Sequence, residues 1–159
     1  MANTTEKGGS TKRTRVGWRE FIDFPDWDVH GIEAKIDTGA RTSAIHVEDV
    51  VPQRGNRVLF HLVTSNKKPF KHVKVVADLV RTSRVRSSTG HVQERYVVAT
   101  TIRIGNIRRH VELSLVGRDK MLCRMLLGRT ALAGWLVVPD KKYLHRLRKA
   151  KTSPRKPSP

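Results

Sequence analysis

Cysteine is nearly absent from this chain. Its 159 residues include one, Cys123, so no internal disulfide can form. A reducing cytoplasmic setting is expected, with Cys123 as a buried core thiol. Long apolar runs are also missing. Apolar residues make up 38% of the chain and the mean hydropathy is −0.46. No stretch is long and apolar enough to span a bilayer, which leaves a soluble single domain with material for one core. Residues 1–15 contain no apolar segment of the secretory kind and read as a disordered basic leader. Aromatic residues are only 6% of the chain. Trp18, Trp27 and Trp135 are too scattered to form a base-stacking platform and read as core. There is no Walker-type phosphate loop and no His-Glu-x-x-His pair, so the residues indicate neither ATP nor zinc. His30, His61, His72, His91 and His110 show no metal-ligand spacing. No cofactor and no metal are expected.

Acids are scarce as well, and that defines what is present. Asp and Glu number 14 against 32 Lys and Arg, a formal net charge of +18. Residues 141–159 hold eight basic side chains and no acid, residues 1–15 carry +3, and residues 16–140 carry the remaining +7. The Pro- and Lys-rich tail predicts disorder. It has two readings, contact with a ribosome, RNA or another acidic partner, and a solubilising extension. A basic body favours an acidic substrate. The expected organisation is a leader at 1–15, a folded domain at 16–140 and a basic tail at 141–159.

Between the tails the pattern is β. Alternating or β-branched runs predict strands at 16–24, 31–36, 43–50, 58–64, 73–80, 94–104 and 107–116. Gly105-Asn106 between the last two predicts a tight hairpin. Val111, Leu113 and Leu115 then share one face, and Glu112 and Ser114 the other. Helix is suggested only at 130–134 and 143–149. Many short strands with regularly spaced turns argue for an all-β closed barrel with one short C-terminal helix.

Two motifs carry chemistry. The first is Asp37-Thr38-Gly39-Ala40-Arg41-Thr42-Ser43 after an apolar lead-in. A carboxylate that activates water must be rigid, hydrogen-bonded to nearby amides and open to substrate. Gly39 lets the backbone bring its N–H to the Asp37 oxygens, Thr38 offers a hydroxyl to lock the loop, and Ala40 keeps the site uncrowded. The second is Met125-Leu126-Leu127-Gly128-Arg129-Thr130-Ala131-Leu132, an apolar strand ending in glycine before a brief helix.

In this order, the pair resembles the retropepsin-like aspartic peptidases. The likeness is closest to a bacterial branch labelled ATP-dependent zinc protease and associated with ribosomal-protein modification. Gly17-Trp18-Arg19-Glu20, Ser87-Ser88-Thr89-Gly90-His91, Asn106 and Arg118-Asp119 belong to the same likeness, which runs over about residues 16–139. It implies a retropepsin-like barrel and an aspartic mechanism. Two carboxylates share a water and a proton, and their repulsion splits their pKa values. The chain has one Asp-Thr-Gly, so a homodimer is implied in which Asp37 meets its symmetry mate. Asp37, Thr38 and Gly39 would be catalytic. Ala40, Arg41, Thr42, Ser43, Gly128 and Arg129 would lie against substrate, with Arg129 also bracing the helix. Arg86, Ser88, Gly90 and His91 mark a candidate flap, with the 67–70 turn as its rival.

Retroviral members carry an acid where this chain has Arg41. Arg41 therefore reads either as a carboxylate-binding residue or as half of a surface ion pair with Glu48 or Asp49. His46 reads as a hydrogen-bonded strand histidine or as a ligand or proton carrier. Relatives sit functionally beside ligases that append glutamates to a ribosomal protein. The resemblance thus implies an acidic or glutamate-modified protein substrate and a glutamate ligase as functional partner. Two alternatives stand beside the peptidase, an inactive barrel that binds ribosome, RNA or acidic peptide, and a zinc metallopeptidase.

Overall fold

The computed structural model describes residues 12–117, 120 and 122–145. Its elements are β1 (Arg15–Gly17), β2 (Arg19–Phe24), β3 (Val29–Ile36), β4 (Ser43–Gln53), β5 (Arg57–Val63), β6 (His72–Arg86), β7 (Val92–Ile104), β8 (Ile107–Val116), β9 (Met125–Leu127), α1 (Arg129–Leu132) and β10 (Leu136–Val138). The chain is mostly β with one short helix, as its alternation predicts. The expected side-chain parity of β8 holds: Val111, Leu113 and Leu115 are buried.

Strands β4 to β8 run as an antiparallel meander. The sheet then curls, because β4 also pairs in parallel with β8, Ala44 opposite Ser114. Strand β9 lies between β3 and β4, parallel to one and antiparallel to the other. Strands β2 and β7 meet at one pair, Asp23 opposite Arg103. An eight-stranded curled sheet is thus what the structure shows; the expected closed barrel is a finer statement than these pairings make.

Side chains from the inner faces fill the core. Ile22, Phe24, Ile32, Ile45, Phe60, Leu62, Leu113, Met125 and Leu127 are all essentially inaccessible. Each such side chain contributes about 1.5–3 kcal/mol by leaving water. Trp27 stacks on Phe24 at 4.9 Å and meets Phe60 edge-on at 5.6 Å. Trp27 and Trp135 pack against the core as expected. Trp18 is only half-buried, lies under the Arg19 guanidinium at 4.6 Å and lines a surface cavity. Cys123 is a buried free thiol, and burial pushes its pKa up.

Three departures from the predicted elements have physical causes. The run at 16–24 is split at Trp18, because β1 pairs with β10 and β2 with β3. Strand β6 continues to Arg86 through charged residues, held by pairing with β7 up to Arg86 opposite Val92. Residues 143–145 are not helical: Tyr143 has φ +54°, and the rest of the suggested 143–149 helix lies outside the described residues.

Packed chain also extends past residue 140, into the segment expected to begin the tail. The carboxylate of buried Glu20 accepts the amides of Gly17 at 2.7 Å, Leu144 at 3.1 Å and His145 at 3.2 Å. Trp18 N–H donates to the Lys141 carbonyl at 2.8 Å. Tyr143 stacks on Phe21 at 4.6 Å and donates its hydroxyl to Glu33. Gly17 is required here, since a Cβ would lie 2.5 Å from the Lys141 carbonyl oxygen.

Candidate active site

Asp37 is the first residue after β3. Its N–H donates to the Leu127 carbonyl at 2.9 Å, so β9 aligns the carboxylate from behind. Asp37 Oδ1 accepts the amide of Gly39 at 2.9 Å and of Ala40 at 3.3 Å. Gly39 serves through space: a Cβ there would lie 3.1 Å from Asp37 Oδ1. The side chain is half-buried on an otherwise exposed loop. One oxygen is therefore held by the backbone, and no described residue donates a hydrogen bond to the other.

The second motif builds the floor of this loop. Gly128 fits so closely that a Cβ would lie 2.5 Å from the Thr42 carbonyl oxygen and 3.0 Å from that of Ala40. From that position successive amides donate into the loop: Gly128 to Ser43 Oγ at 3.0 Å, Arg129 to the Ala40 carbonyl at 2.8 Å, and Thr130 to the Arg41 carbonyl at 3.1 Å. The Arg129 guanidinium closes the front through Nη1, donating to the carbonyls of Thr38 at 2.9 Å and Gly39 at 3.1 Å. Helix α1 is held in turn by Arg109, whose Nη1 donates to the carbonyls of Ala131 at 2.6 Å and Ala133 at 2.8 Å. Arg109 also covers Trp135 at 4.2 Å.

The structure thus divides the residues expected against substrate. Ser43 and Gly128 are buried and joined by the Gly128 N–H to Ser43 Oγ bond, and Ser43 also lines the larger cavity beside the loop. Arg129 is exposed and uses Nη1 to hold the loop. Ala40, Arg41 and Thr42 remain at the surface, and Arg41 and Thr42 line a cavity of about 590 Å³ with Arg81, His110 and Thr130. The ion-pair reading of Arg41 loses its partners. Glu48 lies against His72 at 2.8 Å and His46 at 3.9 Å, and Asp49 lies against His61 at 3.2 Å. His46 is buried in β4. Among the described residues no group of three or more His, Cys, Asp or Glu could hold a metal ion. Zinc therefore finds no fitting ligand set among those residues.

The candidate flap is the β6–β7 hairpin. Arg86, Ser88, Gly90 and His91 are exposed at its tip. Gly90 has φ +84°, and Ser87 N–H donates to the His91 carbonyl at 2.8 Å. The rival turn is tied down: Asn66 donates to Glu33 at 2.8 Å, Arg124 donates to the Ser65 carbonyl at 3.1 Å and covers Phe70 at 4.7 Å. Sequence reasoning missed Arg95, which points into a smaller cavity beside Ala40 and Thr42. Adjacent Val97 and Val98 are both buried, so alternation along β7 gave no signal for its direction. Arg118 and Asp119 lie outside the described residues.

Residues 15–148 match the family described as RimB-like, the retropepsin-like aspartic endopeptidase RimB. This chain belongs to that family. Curated relatives include a probable alpha-L-glutamate ligase of Shewanella halifaxensis, 34% identical over 80% of this chain. One from Parasynechococcus marenigrum, with the same name, is 30% identical over 86%. The matched region is 29% and 30% of those proteins' lengths, so this chain spans under a third of them. A solved Legionella pneumophila protein of unknown function superposes with a TM-score of 0.69, covering 84% of this chain and 98% of that one at 22% identity. That likeness speaks for the fold.

Proposed function

We propose that this RimB-like chain is an aspartic endopeptidase whose two catalytic carboxylates are Asp37 from each protomer of a homodimer. The observation that carries this reading is the Asp37 carboxylate, fixed by two backbone amides on a loop that the Gly128–Arg129 segment clamps, with its second oxygen left without a donor. Such rigidity suits a group that must receive and return a proton without rearranging. Each chain supplies one such carboxylate, and the chemistry needs two. The same reading takes the curled sheet as the closed barrel of one protomer.

In the reaction, one Asp37 is ionised and the other protonated, because repulsion prevents both from ionising together. The ionised carboxylate takes a proton from the shared water as its oxygen attacks the scissile carbonyl carbon. The protonated partner gives its proton to the carbonyl oxygen, forming a neutral gem-diol. Transfer of a proton to the amide nitrogen and collapse of the diol break the C–N bond. The acid and amine leave and the one-proton state of the pair returns.

An acidic substrate fits a body of charge +7 within a chain of +18 and an Arg41 beside the loop that forms no ion pair among the described residues. The relatives named glutamate ligases favour a glutamate-modified protein as that substrate and a ligase as the functional partner. The basic tail favours ribosome or RNA contact, and the cytoplasm suits a single-cysteine chain.

The test compares wild type with Asp37→Asn on a glutamate-tailed peptide, with molar mass by light scattering on both. Cleavage by a dimeric wild type should fall about 10³-fold or more in a mutant that is still dimeric. Binding without cleavage by a well-folded monomer would replace this reading with a binding module.

A further inference from the structure

Two cavities flank the loop that follows Asp37, and they share Thr42 and Ser114. The larger contains Arg81, but Glu112 opposes that charge directly in an ion pair. The smaller, about 170 Å³, is lined by Ala40, Thr42, Ser114, Val116 and Arg95 among others. Its lining contains no acid. Arg95 is on β7 opposite Ser83, on the same face as Val97 and Ser114, the face of the strand that looks away from the core and toward the loop.

The Arg95 side chain has no hydrogen-bond or ion-pair partner among the described residues, and its Nε is buried. A guanidinium is always charged, and withdrawing one of its donors from water without an acceptor is unfavourable. Such an atom is completed either by an ordered water or by an acceptor that arrives from outside. The cavity is sized for one side chain, and the outside acceptor that suits it is an anion with the planar fork that matches arginine. A carboxylate meets both conditions.

We infer that Arg95 is a specificity-determining residue of the substrate site, receiving a single glutamate or aspartate side chain of the peptide between β7 and the Ala40–Thr42 loop. The inference rests on the peptidase reading for the identity of the ligand as a peptide. Ala40 donates its own amide to Asp37, so an acid seated in this cavity would sit beside the bond being cut. Thr42 adjoins it, and Arg41 lines the neighbouring cavity, where a second acid of the same tail can lie.

The experiment measures binding and cleavage of two peptides that differ only in glutamate against glutamine. Binding is read on Asp37→Asn protein, with and without Arg95→Gln or Arg95→Lys, and cleavage on chains that keep Asp37. Arg95→Gln should weaken binding of the glutamate peptide about 10- to 100-fold and leave the glutamine peptide within about twofold. In cleavage the loss should appear mainly in KM. Arg95→Lys should retain part of the preference, and thermal melts check folding. Equal weakening of both peptides, or no weakening, overturns the assignment. So does a wild type that takes glutamine as readily as glutamate, an outcome that needs no variant to fold. Absence of Asp37-dependent cleavage alongside Arg95-dependent binding would remove the peptidase reading and keep Arg95 as an acid receptor. Cleavage indifferent to Arg95 would do the reverse.

Discussion

Gly128 and Arg129 act on Asp37 without approaching its carboxylate. Gly128 admits the Thr42 carbonyl where any other residue would place a carbon at 2.5 Å, and Arg129 fastens the carbonyls of Thr38 and Gly39. A methyl at 128 must push the loop away through its backbone, which cannot yield as a flexible side chain would. Gly128→Ala should therefore cost about 1–3 kcal/mol, lower the melting temperature by several degrees and abolish most activity. Arg129→Ala leaves the space intact and removes two anchors, so activity should fall further than stability does. Thermal melts beside initial rates check both, and a Gly128→Ala protein of unchanged melting temperature and activity would contradict this account. Asp37 and its glycine were legible because their order in sequence is their order in space. The Ser43 to Gly128 contact joins residues 85 positions apart, and no local pattern announces it.

At the scale of elements, the segment at 141–145 is a strap held across β1 and β2 by the Glu20 carboxylate. Three backbone amides share that buried acid. Glu20→Gln would turn one acceptor oxygen into a donor facing a donor, so a loss of about 1.5–3 kcal/mol is expected. Faster trypsin cleavage at Lys141 and Lys142 would report the strap's release, and an unchanged cleavage rate would count against it. The strap was hidden because a lysine-rich stretch reads as tail; Tyr143 and Leu144 were its only apolar signs. The outer half of β6 was missed for a related reason. Its arginines carry no apolar alternation, and pairing with β7 alone makes it a strand.

The β2–β7 contact adds a pH dependence. Burial acts to raise the Asp23 pKa, but Arg103, whose Nη2 donates at 2.6 Å, and the Gly31 amide outweigh it and hold the carboxyl below its ordinary value. A folded pKa below the unfolded one means stability that is complete above about pH 4, the ordinary carboxylate range. It is lost as the pH falls through the depressed folded value. Asp23→Asn should flatten this acid limb of a stability-against-pH curve, and an unaltered limb would place the acid sensitivity elsewhere.

The whole molecule is half of its proposed enzyme. Mixing makes that measurable. With equal wild type and Asp37→Asn subunits exchanging freely, about one quarter of the dimers would hold two competent carboxylates. Activity per wild-type chain should then halve, and specific activity should decline on dilution. Activity that tracks wild-type chains linearly, whatever the mixture, would assign the whole reaction to one protomer. The overall class was readable because β alternation and turns repeat along the chain. The pairing of β9 between β3 and β4 was not, since a three-residue strand gains its place only from neighbours distant in sequence.

The strap has a further consequence. His145 Nε2 lies 2.8 Å from the Arg15 carbonyl oxygen, and β1 runs parallel to β10. The polypeptide thus enters and leaves this domain through one doorway. A unit wired so can be spliced into or hung from a host protein while leaving the host's own ends undisturbed. The β6–β7 hairpin and the Asp37 loop need no rebuilding for such a graft, because neither is made from the doorway.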